Sequence, residues 1–146
     1  MFMNIRNATY RDAPAIRLLL EILGYKTSLS LLVNQLEILF GQNDHQVFVY
    51  ELNKDVVAFI AIHYMPQLGF DGGLAFISYL SVDETIADQG IGKALEQYVT
   101  QQALKRKCDR IQVHCMDWRT PAHQFYEQQG YIEYPLYFTK RLVYGE

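Results

Sequence analysis

Leu80-Ser-Val-Asp-Glu-Thr-Ile-Ala-Asp-Gln-Gly-Ile-Gly-Lys-Ala-Leu95 carries an apolar strand through a short polar turn into two glycines and then an amphipathic helix. A helix N-terminus leaves backbone N–H groups without intrahelical partners and carries the positive end of the helix dipole. Glycines placed just before it therefore let an anion approach bare backbone. Gly90 and Gly92 stand at that position. The helix follows from Ile91, Ala94, Leu95, Tyr98 and Val99, which recur at three- and four-residue intervals, while Lys93, Glu96, Gln97 and Gln101 fall on the other face. Lys105, Arg106 and Lys107 close it, about 20 Å from Gly92 at about 1.5 Å per residue, and so read as a C-terminal charge cap.

Two better-known phosphate loops do not fit. A Walker A loop at Gly92-Lys93 would need a glycine where Ala87 stands and a metal-binding hydroxyl where Ala94 stands. A dinucleotide fingerprint would need its third glycine at Leu95. The segment alone leaves two readings, an anion cradle and a tight strand-to-helix turn that binds nothing.

A second segment shifts the balance between them. Trp118-Arg-Thr-Pro-Ala-His-Gln-Phe-Tyr-Glu-Gln-Gln-Gly-Tyr131 reads as a short helix with Thr120 as N-cap, Pro121 in the first helical position and Gly130 as the stop. Together the two segments resemble the GCN5-related N-acetyltransferase (GNAT) family. Its members carry Q/R-x-x-G-x-G/A after a strand, for the acetyl-CoA pyrophosphate, and later a helix reading A-x-x-F-Y-x-x-x-G-F/Y. The second pattern is intact here from Ala122 through Phe125 and Tyr126 to Gly130 and Tyr131. The opening Ile5-Arg-Asn-Ala-Thr-Tyr-Arg-Asp12 looks like the family's first strand and turn, so the resemblance covers nearly the whole chain.

The cofactor loop departs from the pattern. Counted from Val82, Ala87 replaces the usual Arg or Gln and Asp88 replaces a glycine. A second register, opening Q-x-x-G-x-A at Gln89, would lengthen the loop and start the helix later; the first is preferred. In it the loop loses one side chain facing the pyrophosphate and gains a carboxylate, which repels phosphate unless Asp88 points to water. Backbone donors at Gln89, Gly90, Ile91, Gly92 and Lys93, and the Lys93 ammonium, remain.

The resemblance implies the chemistry. Leu80, Ser81 and Val82 would splay from their neighbour and offer backbone groups to the pantetheine arm, and Ala122 would belong to the cofactor surface. Arg119 takes the place where many relatives have an asparagine touching the cofactor. Tyr126 is the general-acid candidate for the departing thiolate, since a phenol near pKa ~10 and a thiol near ~8.5 are close enough for transfer. The base is open. Relatives often place a carboxylate two residues before the leucine that is Leu80 here, and that position is Ser78, which is no base. His63, His114, Glu84 or a water near Tyr79 could take the amine proton. Tyr25, Lys26, Tyr64, Phe70 and Tyr79 are candidate walls for the acceptor, with Tyr25, His63 and Tyr79 the substrate-binding choice.

Composition agrees with one such domain over residues 1–146, with half of the residues apolar. A net charge of −3 and the lack of a basic stripe argue against nucleic acid. Cys108 and Cys115 flank a strand whose seven extended residues span roughly 23 Å, too far for a disulfide, and their order with His114 and His123 matches no zinc spacing, so no metal is expected. Arg6, Arg11 and Asp12 interrupt any signal peptide and no apolar run could span a membrane, which makes the cytoplasm the default. Acetyl-CoA and an amine acceptor are the expected partners, with a homodimer admitted.

The remaining pattern places a strand at residues 3–10 and a helix at 13–23 with Asp12 as N-cap and Gly24 as stop. A second helix covers 28–40. Strands at 46–51 and 56–65 flank a hairpin turn at 52–55, and a strand at 75–82 leads into the glycine loop. A strand at 110–114, a helix at 120–129 and terminal strands at 131–134 and 137–142 follow. This order supports an α+β or α/β sheet covered by helices. The resemblance sharpens it to a mixed, mostly antiparallel central sheet flanked by about four helices.

Overall fold

The structure, a computed structural model, describes residues 2–115, 120–134 and 136–145, apart from the side chains of 87, 88 and 120. The chain falls into two compact units, Met1–His114 and Cys115–Glu146.

The first unit is built on a sheet whose strands lie in sequence order: β1 (Ile5–Asn7), β2 (His45–Leu52), β3 (Asp55–Pro66), β4 (Gly73–Val82) and β5 (Arg110–Val113). The first four pair antiparallel, and β5 joins β4 in parallel. A parallel neighbour needs a crossover, and the helix from Ile91 to Lys105 supplies it. Two helices, α1 (Ala13–Ile22) and α2 (Leu29–Phe40), precede β2, so the crossover helix is α3; α4 (Thr120–Gln128) belongs to the second unit. Among the described residues this is the expected mixed, mostly antiparallel sheet with four α-helices.

Local chemistry explains most boundaries. Asn53 and Lys54 both take positive φ (50° and 70°), the geometry whose twist suits a two-residue hairpin between β2 and β3. Ser28 Oγ accepts a 3.1 Å bond from the Leu31 N–H and caps α2. Gly24, at φ 96°, donates its N–H to the Glu21 carbonyl and stops α1.

The apolar run of β3 is buried on both faces. Ala58, Ile60 and Ile62 pack with Ile91, Leu95 and Val99 of α3. Phe59 and Ala61 pack with Ile16 and Leu19 of α1 and Leu32 and Leu36 of α2. Burial of each such large side chain favours folding by about 1.5–3 kcal/mol, which makes β3 the central girder of the unit.

Two expectations are corrected. Asp12 does not cap α1 through its side chain. Its carboxylate instead accepts from the Thr9 N–H (2.8 Å) and from both terminal nitrogens of Arg6 (2.8 and 2.9 Å), tightening a 3-10 turn at Tyr10–Asp12 that cuts the first strand back to β1. The terminal strands at 131–134 and 137–142 do not form, and the described residues there carry no regular structure. Alternating side chains favour a pleat only where a neighbour completes the ladder, and no strand pairing reaches them among the described residues.

Candidate active site

The ladder between β4 and β5 runs from Leu74 opposite Arg110 to Ile77 opposite Val113. Beyond Ile77, β4 continues to Val82 paired with β3, and among the described residues no strand pairs with its other edge over residues 78–82. An open edge offers unpaired backbone N–H and C=O groups to an extended ligand. The side chains there are otherwise engaged. Ser81, 3% exposed, donates its hydroxyl to the Leu19 carbonyl at 2.7 Å. Leu80 and Val82 pack on the α3 side of the core. The Ser81 side chain is thus held within the unit, while Leu80 and Val82 stay half-buried.

Asp83 turns the chain out of β4 by accepting from the Thr85 N–H (3.0 Å) and hydroxyl (2.9 Å). Those two hydrogen bonds hold its carboxyl below the usual range. A 3-10 segment at Glu84–Gln89 follows, Gly90 takes φ 77°, and α3 begins at Ile91. This is the earlier of the two registers. A Cβ added at Gly90 would meet nothing within 4 Å, so the glycine answers to the backbone angle and leaves open space before the helix. Gly90 at the N-cap offers no side chain to cap α3; the Ala94 N–H bonds back to the Gly90 carbonyl at 3.0 Å, while the N–H groups of Ile91, Gly92 and Lys93 need partners from outside the helix. Gln89 and Lys93 are exposed, whereas the Ile91 side chain is buried and leaves only its N–H for a ligand. The side chains of Ala87 and Asp88 lie outside the described residues.

The acceptor candidates gather on the α1–α2 face of the sheet. Tyr25, just past α1, meets Tyr79 edge-on with ring centroids 5.3 Å apart. Burial, with Tyr25 adding to it, pushes the Tyr79 phenol up. Across the ladder from Tyr79, Ala61 pairs with it while Ile62 pairs with Ile77, which leaves Ser78 as the extra residue of a β-bulge. A bulge re-aims the side chain it carries. Here Ser78 Oγ lies 2.6 Å from His63 Nε2. His63 Nδ1 in turn lies 2.8 Å from His45 Nδ1, and His45 Nε2 lies 3.0 Å from Gln42 Oε1.

The proton positions in this chain follow from its far end. The Gln42 carbonyl oxygen only accepts, so His45 donates from Nε2 and, when neutral, has a bare Nδ1. His63 then donates from Nδ1 and accepts at Nε2, and Ser78 donates its hydroxyl. Burial, reinforced by His45, lowers the pKa of His63 and keeps the ring neutral. Phe76, paired with His63 across the ladder, continues the row of rings to His114 at a centroid distance of 5.0 Å.

Sequence reasoning singled out His63 but missed its contacts with His45 and Ser78. It also misplaced Tyr64, which is buried on the α3 side, donates its hydroxyl to Gln46 at 2.6 Å and stacks under Arg106. Phe70 lies beneath the guanidinium of Arg110, near the start of β5.

In the second unit, Pro121 and Ala122 open α4 and Gly130, at φ 93°, ends it. Tyr126 meets Phe125 at 5.1 Å and Tyr131 at 5.4 Å, both edge-on, and its carbonyl accepts the Tyr131 N–H. Arg119 lies outside the described residues. Cys108 and Cys115 are free thiols, and no group of three His, Cys, Asp or Glu among the described residues could hold a metal ion. No described helix is long and apolar enough to cross a membrane.

Solved structures share this fold at low identity. A transcriptional regulator from Bacillus halodurans is similar at TM-score 0.87 with 20% identity, over 94% of this chain and 98% of that one. An aminoglycoside acetyltransferase from an uncultured soil metagenomic sample gives 0.80 and 24%, over 97% of each chain. Glucosamine-6-phosphate N-acetyltransferase from Arabidopsis thaliana gives 0.83 and 18%, over 95% and 97%. No curated protein sequence matches significantly. The profile described as the acetyltransferase (GNAT) family matches residues 7–131, across both units. On that match, the chain belongs to the acetyltransferase (GNAT) family.

Proposed function

We propose that this protein is an acetyl-CoA-dependent N-acetyltransferase acting on a small-molecule amine, with both units serving one domain. The observation that carries the reading is the open β4 edge at 78–82 leading into the glycine-capped start of α3. The two features suit the two halves of one ligand. Backbone groups of Leu80, Ser81 and Val82 would pair with the amide-bearing pantetheine arm as a strand does, and the N–H groups from Gln89 to Lys93 would receive the pyrophosphate. Ala87 and Asp88 complete that loop, and Arg119 and Ala122 would add to the donor site.

The acceptor nitrogen attacks the thioester carbonyl carbon, the C–S bond breaks, and sulfur departs with the bonding electron pair. Tyr126 gives the thiolate its proton, while the nitrogen loses one of its own. Tyr25, His63 and Tyr79 would line the acceptor side. The protein would work in the cytoplasm, independently of nucleic acid and membrane, as a monomer or homodimer.

The deciding experiment measures the melting temperature against acetyl-CoA and then screens amines for release of free CoA thiol. Saturable stabilisation is expected, because a ligand that binds only the native state raises its stability. Stabilisation without thiol release from a broad amine panel would favour a non-catalytic CoA-binding module, a reading that draws on Ala87, Asp88 and the missing carboxylate at Ser78. No stabilisation at saturating concentration would reject both.

A further inference from the structure

The position where a carboxylate base would stand holds Ser78, yet the bulge delivers that serine to a histidine. Ser78 is also the first residue of β4 past the last β4–β5 pair, so its hydroxyl sits where the strand edge opens. Resting on the acetyltransferase reading, we propose that Ser78 and His63 together form the general base, with His45 and Gln42 as positioning residues that fix the His63 tautomer. The geometry allows one direction of transfer. The acceptor nitrogen passes its proton to Ser78 Oγ as the serine's own proton moves to His63 Nε2. His63 becomes an imidazolium whose Nδ1–H stays bonded to the bare Nδ1 of His45. Return of that proton through Ser78 to water, once product leaves, restores the starting state.

The surroundings fit a neutral resting ring. His63 is flanked by His45 from β2, by Ser78 from β4 and by the uncharged ring of Phe76, which separates it from His114. Tyr79 and Tyr25 meet edge-on on the α1 side, where α1 also carries the Arg17–Glu21 pair. His45 and Gln42 line a surface cleft with Asn7, Phe40, Asn43 and Arg106. The Arg106 guanidinium bonds the Asn43 carbonyl at 2.7 Å and sets a cation in that cleft. The depressed His63 pKa keeps Nε2 bare near neutral pH and ready to accept.

The test combines a measurement on the resting protein with kinetics. Imidazole ¹⁵N NMR of the wild-type protein at neutral pH is expected to show His63 protonated at Nδ1 and bare at Nε2. The opposite tautomer would overturn the relay without touching the acetyltransferase reading. With an acceptor from the amine screen, Ser78→Ala and His63→Gln should each lower kcat/KM by about 10²-fold or more. His63→Gln should also erase the acidic limb of the pH profile, while stabilisation by acetyl-CoA stays at the wild-type value. A His63→Gln variant that binds acetyl-CoA and keeps both the rate and the limb overturns the relay alone. A wild-type protein that acetyl-CoA neither stabilises nor converts to free thiol overturns the functional reading, and the relay with it.

Discussion

His45 and His63 face each other across the β2–β3 ladder with their Nδ1 atoms 2.8 Å apart, a distance that accommodates one shared proton and not two. A proton added to His63 therefore cannot enter between the rings. Because burial depresses the His63 pKa below its unfolded value, the unfolded chain binds the extra proton first as pH falls. Stability from this ring is complete above pH ~6.5 and is lost as pH drops through the lower folded value. Melting temperatures between pH 8 and 5 should fall more steeply for wild type than for His63→Gln. Parallel curves would show that the pair does not gate stability.

Asp12 carries the opposite kind of ionisation. Burial by itself would raise its pKa, but the hydrogen bonds from Arg6 and the Thr9 N–H outweigh it and lower the carboxyl below its ordinary value. Its contribution is present above the unfolded carboxylate range and is lost as pH falls through the lowered folded pKa. Asp12→Ala strips partners from the Thr9 N–H and Arg6 at a side chain only 5% exposed. Part of that loss is softened because Arg6 is 38% exposed. A destabilisation of about 2–3 kcal/mol is expected in urea unfolding. A change under about 0.5 kcal/mol would mean the network is dispensable.

The helices, the hairpin and the glycine-capped entry to α3 were legible because each rests on local chemistry: a 3.6 period, two turn residues, a cap. The histidine pair was not, since register beyond a turn depends on bulges. Counting back from Leu52 opposite Asp55 would set His45 against Ile62, and the irregularity at Tyr50 and Glu51 moves it to His63. A second bulge brings Ser78 to the same ring. Parity explains Tyr64 as well. It lies one residue beyond His63 and so on the opposite face, which a list of aromatic candidates does not reveal. Asp12 was read as a helix cap from its spacing, but the nearby Arg6 guanidinium and Thr9 N–H compete for its oxygens. The terminal strands rested on alternation alone, and among the described residues no ladder takes them up.

The α3 entry separates backbone cost from ligand cost. Gly90→Ala places a Cβ on a residue at φ 77° with open space around it, so the penalty is conformational, about 1–2 kcal/mol in stability. Gly92→Glu sits within the helix and should leave folding largely intact, yet abolish acetyl-CoA binding by setting a carboxylate beside the phosphates. Calorimetric titration of both variants reads the difference. A Gly92→Glu variant that folds and binds like wild type would move the donor site away from this turn.

Tyr126 tests the chemistry apart from binding. Its ring meets Phe125 and Tyr131 edge-on, and Tyr126→Phe keeps that ring while removing one oxygen, so the packing of α4 should survive. If the phenol protonates the departing thiolate, acetyl transfer should fall by about 10²-fold or more with the affinity for acetyl-CoA little changed, as expected for an interaction used in the transition state. A donor with a more acidic leaving thiol than CoA should narrow the gap between the two proteins, because a better leaving group needs less help. Equal rates for Tyr126→Phe and wild type, with single-turnover data showing that acetyl transfer limits both, would remove the acid role and leave Tyr126 as a packing residue.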